Sequence, residues 1–136
     1  MSGTAGRFTA FAGCTVNFNG GAQAIAPFAY TFRNVTLSNT GAKNLANATV
    51  NGNLALTGTV TAATAANFVI GGNLNVADGT TFTVTANNTL AVTGTTTVSG
   101  TLTLAGTGAK TFTGDVTINP SGIWDETGVS TYSFGG

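Results

Sequence analysis

The stretch "GGNLNVADGTTF", residues 71–82, returns as "TGDVTINPSGIW", residues 113–124, with one residue inserted before the later Gly. Each copy runs from a corner through a triplet that alternates large apolar with polar, then a turn, then a second apolar run. Alternation at period two marks a strand whose apolar members all face one way. The same triplet recurs as "VTL" (35–37), "LAL" (54–56), "LNV" (74–76), "FTV" (82–84), "LAV" (90–92), "LTL" (102–104) and "VTI" (116–118). Turn dipeptides "NG", "TG", "GG", "DG" and "SG" stand between them. Helix signals are nearly absent, because Gly, Thr and Asn interrupt every window and Leu, Glu, Lys and Arg never gather at helical spacing.

An all-β chain leaves a choice between sandwich and solenoid. A sandwich would show strands of about five to six residues and connections that do not repeat. Here the strands are short and whole phrases come back. The pairs Val35/Leu37, Leu54/Leu56 and Leu74/Val76 imply coils of just under or about twenty residues, with looser spacing later. The expectation is a parallel β-solenoid (β-helix) of about six or seven coils, each pairing with its neighbours about 4.8 Å away. It forms a single domain over residues 1–136, with 1–13 as an irregular N-terminal segment.

A second phrase appears as "LSNTGAKNL" (37–45), "LAGTGAKTF" (104–112) and, shortened, "FNGGAQAI" (18–25). It reads as one corner of the coil. Gly41 and Gly108 allow the backbone to turn where φ is positive, and Gly20 and Gly21 mark the repeat corner in the short copy. Ala42 and Ala109 fit a cramped inward or corner position. Gln23, Lys43 and Lys110 are expected to extend outward, laying a polar stem over the next coil.

Composition narrows the function classes. Charged residues are 6 % of the chain, against about 25 % in an average globular protein. The charges balance to zero and read as scattered, so nothing points to nucleic acid or an anionic membrane. The outer surface must be made of Thr, Asn and Ser. Cys14 is the only cysteine, so no disulfide forms within the chain, and it reads as a small buried hydrophobe. The N-terminal residues lack the basic and apolar regions of a signal peptide. No apolar run approaches the roughly 20 residues of a membrane helix. The expected context is a mature or excised part of a longer exported protein.

The segments "VNFNGGAQAI", "YTFRNVTLSNTGAKNL", "ATVNGNLALTGTV" and "FVIGGNLNVADGTTFTV" resemble repeats of large secreted bacterial β-helix proteins. These are adhesin-like or autotransporter-passenger-like surface proteins, and the resemblance runs from about Cys14 to the C-terminus. It implies an extracellular or cell-surface location. It brings no catalytic motif and no cofactor.

Candidate chemistry is sparse. The four acids are Asp78, Asp115, Asp125 and Glu126, and there is no His. Asp78 reads as a turn residue, while Asp125 and Glu126 on one strand would face opposite sides. A polysaccharide-cleaving enzyme would need acids converging on a groove, and a hard-cation loop would need several spaced acids. Neither pattern is present, so no catalytic, cofactor or metal residues are assigned.

Thr57, Thr59, Thr81, Thr83, Thr101 and Thr103 are candidates for an outward Thr face that could meet ice or carbohydrate. The plainer reading is β-branched strand formers covering an uncharged face, since these pairs do not recur at one fixed coil position. Asn34, Asn47 and Asn87 head Asn-x-Thr sequons, which an Asn- and Thr-rich chain produces by chance. Aromatics gather at the ends: Phe8 and Phe11 early, Trp124, Tyr132 and Phe134 late. They either plug the terminal coils or form end interfaces. Because a solenoid end exposes unpaired backbone groups, the expected function is structural: a subunit or segment of a surface fibre or adhesin stalk. Its expected partner is another copy stacked head to tail or neighbouring repeats of a longer chain, with glycans as the alternative.

Overall fold

The computed structural model describes residues 13–25, 30–46 and 48–136. The described residues wind into a parallel β-solenoid of six coils, and every coil gives one strand to each of three six-stranded sheets. Sheet 1 stacks Thr15–Phe18, Asn34–Leu37, Leu54–Leu56, Leu74–Val76, Thr96–Val98 and Val116–Ile118. Sheet 2 stacks Gln23–Ile25, Thr40–Leu45, Thr59–Thr64, Thr81–Val84, Thr101–Ala105 and Ile123–Thr127. Sheet 3 stacks Tyr30–Phe32, Ala48–Val50, Phe68–Ile70, Leu90–Val92, Lys110–Phe112 and Tyr132–Phe134. Among the described residues no helix is long and apolar enough to cross a membrane.

All rungs pair parallel and in register. In sheet 1, Thr15 lies under Asn34, Val35 under Leu54, Leu54 under Leu74, Leu74 under Thr96 and Thr96 under Val116. The successive coils are therefore 19, 19, 20, 22 and 20 residues long. The twelve-residue repeat of the sequence is recovered in space. Leu74/Val76 and Val116/Ile118 share the inner columns of sheet 1, and Phe82 and Trp124 share one of sheet 2.

An apolar–x–apolar triplet sends two side chains inward, and stacking puts like on like. Phe18, Leu37, Leu56, Val76, Val98 and Ile118 form one such column. Phe32, Val50, Ile70, Val92, Phe112 and Phe134 form another. Leu37, Leu54, Leu56, Val76, Phe82 and Leu104 are wholly buried, and each such side chain stabilises the fold by about 1.5–3 kcal/mol. With strands of three to six residues, no coil could bury its apolar edge alone. Stability comes from contact with the coil on either side.

The corners set where the chain bends. Gly41 has φ of 85° and Gly58 of 77°, backbone that L side chains rarely adopt. Before sheet 1, a column of asparagines runs from coil to coil. The Oδ1 of Asn34 accepts the N–H of Asn53 at 2.9 Å, Asn53 does the same for Asn73, and Asn73 for Thr95. A Cβ on Gly52, Gly72 or Gly94 would collide with the Oδ1 below, so the glycine ahead of each rung lets the ladder close.

Several sequence expectations change here. Cys14 is exposed, not buried, because it lies ahead of Thr15–Phe18 and outside the inner columns. Ala42 and Ala109 also face solvent. Gly108 does not have positive φ. Its Cβ would instead strike the carbonyls of Asn87 and Asn88, so close approach explains the glycine. Nor do the three look-alike phrases share one corner. Gln23 and Lys43 are paired neighbours in sheet 2, while Lys110 sits in sheet 3 between Leu90 and Tyr132.

Candidate functional site

Both lysines expected on the surface point into the core. Lys43 is 1 % exposed and Lys110 0 %. Lys43 occupies the inner column Gln23–Lys43–Ala62–Phe82, which also turns Gln23 inward. Its Nζ donates to the carbonyls of Gly20, Gly21 and Thr40 and to Oε1 of Gln23, the last two at 3.2 and 3.1 Å. Lys110 Nζ donates to the carbonyls of Asn88 at 2.9 Å, Gly108 and Ala105. Corner carbonyls have no ladder partner, and an ammonium brings three donors. The stem fills a core position while the head satisfies the corner. Burial pushes both amines below the ordinary lysine range. Gly20, Gly21, Gln23 and Thr40 with Lys43 form one such plug, beside the turn at Gly41, and Asn88, Ala105 and Gly108 with Lys110 form another.

On the outer face of sheet 2 the threonines do come into line. Thr61, Thr81 and Thr101 stack in one outward column, with Thr83 under Thr103 in the next. Thr81, Thr83, Thr101 and Thr103 therefore share a face, contrary to the expectation that no coil position recurs. The correct partner of Thr81 is Thr61, twenty residues earlier. Thr59 pairs instead with Thr40 at the strand start, and Thr57 lies at a corner, its N–H on the Leu37 carbonyl. The array is short. It is interrupted by Ala63 and gives way to Ile123 and Asp125 in the last coil, where Thr103 Oγ1 donates to Asp125 at 3.4 Å.

The C-terminal coil is the third candidate. Trp124 packs on Phe112 with centroids 5.2 Å apart, and Phe134 stacks on Phe112 at 5.7 Å and Tyr132 at 6.2 Å. These rings continue the inner columns and close the core, but incompletely. Phe134 remains 57 % exposed and Ile118 41 %. Gly114, Asp115, Val116, Thr117, Phe134 and Gly136 line an open groove at this edge. Burial, and then the charge of Glu126, push the Tyr132 phenol above its ordinary range. Phe8, Phe11 and Asn47 lie outside the described residues.

No family model, curated protein or solved structure matches the chain. Function has to be argued from the geometry.

Among the described residues, no three of His, Cys, Asp and Glu gather closely enough to hold a metal ion. Two features escaped the sequence reading. The asparagine ladder was visible as "RN" (33–34), "NGN" (51–53) and "GGN" (71–73), which place Asn immediately before the sheet 1 triplets that start at Val35, Leu54 and Leu74. The lysine plugs carried no signal, since a lysine after a corner glycine looks the same whichever way it points.

Proposed function

We propose that this chain is an extracellular structural protein, a solenoid segment or subunit of a surface fibre or adhesin stalk that stacks end to end. The observation that carries the reading is the set of three parallel, in-register sheets whose last rung leaves Ile118 and Phe134, the ends of two inner columns, exposed. That rung presents unpaired strand edge beside apolar surface, which favours pairing with another rung. The resemblance to secreted β-helix repeats points the same way for location. In this role the ladder spans distance, and its continuity resists local opening.

The experiment is negative-stain microscopy of the purified chain with its mass in solution across concentration. Filaments or dimers elongated along the solenoid axis support the fibre. A monomer at every concentration sinks it.

One observation favours a second reading, a carbohydrate- or ice-binding module. The threonines of sheet 2 form a regular grid, about 7 Å along the strand and 4.8 Å between coils. Its test is ice shaping or glycan binding by the monomer, lost when Thr81 and Thr101 are replaced by Lys.

A further inference from the structure

Two Asn-Gly dipeptides stand in this chain, Asn19-Gly20 and Asn51-Gly52. In such a pair the glycine nitrogen can reach the side-chain carbon of the asparagine, because glycine puts no side chain in the way. Both asparagines are exposed, yet the fold treats the two glycine nitrogens differently. Gly20 N–H donates to Oε1 of Gln23 at 3.1 Å, and Lys43 Nζ holds that same oxygen. Gly52 lies in the corner between sheets 3 and 1, over the Arg33 carbonyl. In the next two coils the glycine of this corner is tied down. Gly72 N–H donates to the Gly52 carbonyl and Gly94 N–H to that of Gly72, both at 2.9 Å. Gly52 N–H has no partner among the described residues, and neither has the Asn51 carboxamide. A bonded N–H must leave its acceptor before its nitrogen can attack, so Gly20 is protected and Gly52 is not.

We propose that Asn51-Gly52 is a self-modification site, at which the Asn51 carboxamide becomes a carboxylate without an enzyme. Gly52 N gives its proton to hydroxide and attacks Asn51 Cγ. A new C–N bond closes a five-membered imide, and Nδ2 leaves as ammonia. Water then opens the ring. Breaking the bond from Cγ to nitrogen restores the ordinary backbone, with aspartate at 51. Breaking the bond from the main-chain carbonyl carbon leaves isoaspartate, with the chain running through Cβ and Cγ. Either way asparagine and water give an acid and ammonia, and nothing is oxidised or reduced. Both products bring a negative charge to a chain with none net, at a corner whose lower coil holds the exposed Arg33. They differ in their effect on the ladder. Isoaspartate adds a main-chain carbon where Gly52 has no room even for a Cβ, which would strike the Arg33 carbonyl and Asn34 Oδ1. That displacement draws Asn53 N–H away from Asn34 Oδ1. Aspartate leaves the backbone path as it is. The chemistry is independent of whether the chain stacks end to end.

The test is incubation of the folded 136-residue chain in mildly alkaline buffer, then peptide mapping by mass spectrometry. Replacement of amide nitrogen by oxygen is read at each asparagine. Asn51 should convert about tenfold faster than Asn19 in the folded chain. In urea, where neither glycine is held, the two should match. Gln23→Ala frees Gly20 N–H and should bring Asn19 up to the pace of Asn51. Should thermal melts show that variant unfolded, the folded-against-urea comparison decides. Chains carrying isoaspartate should melt below the Asn51→Asp variant, and equal melts would overturn the effect on the ladder. Asn19 keeping pace with Asn51 in the folded chain overturns the inference. So does Asn51 keeping its amide when folded while losing it in urea.

Discussion

Thr96 lies in an inner column of sheet 1 between Leu74 and Val116, wholly buried, and its Oγ1 has no hydrogen-bond partner among the described residues. A buried orphan hydroxyl costs about 1–3 kcal/mol. Thr96→Val keeps the shape and removes the orphan, so urea unfolding should show a gain of about 1 kcal/mol. A loss would mean that the hydroxyl is satisfied. At this scale the sequence was readable where a side chain has one physical option. Leu54 and Val76 were assigned inward and lie inward. Lys43 and Lys110 had two options, because a long stem can cover a neighbour or thread inward to a ring of carbonyls. Only the carbonyl positions of Gly20, Gly21 and Asn88 decide between them, and these are set by the coil below.

Elements here are rungs, and what locks one rung over the next is the corner before sheet 1. Asn53 accepts from the Asn73 N–H while its own N–H is held by Asn34. Asn53→Ala strands one backbone donor at a partly solvated corner. It should cost about 1 kcal/mol in a denaturant melt, and Asn53→Asp, which keeps the acceptor, less. Equal melts for wild type and Asn53→Ala would remove the ladder from the account. The existence of the rungs was legible because apolar–x–apolar triplets spaced by about twenty residues leave little else to build. Their assignment to sheets was not fully legible. "TGAK" opens a sheet 2 strand at residue 40 and leads into a sheet 3 strand at residue 110. Hence the next sheet 1 strand follows Lys43 by eleven residues, at Leu54, but Lys110 by only six, at Val116. Identical phrases serve different corners because each corner needs only a glycine and a short reach.

For the whole molecule, continuity of the ladders governs how it comes apart. Pulling out an inner rung breaks pairing on both sides, so opening a central coil approaches global unfolding. Among the described residues trypsin has three targets, Arg33, Lys43 and Lys110. Arg33 is exposed and both lysines are buried. Native digestion followed by mass spectrometry should find cleavage after Arg33, with the bonds after Lys43 and Lys110 cut only as fast as the protein unfolds. Cleavage at Lys110 keeping pace with Arg33 would show that the coils open singly.

By itself the sequence determined that the chain is all-β, that its strands are short, that coils of about twenty residues stack, and which apolar residues fill them. Period-two alternation and recurring corners suffice for that, since both are local properties of the chain. Tertiary structure alone decided which way Lys43 and Lys110 point and which threonines share a face. Each of these depends on what lies a full coil away, and the coils differ in length by up to three residues. A spacing that drifts by that much blurs the register on paper, while backbone hydrogen bonds in space restore it.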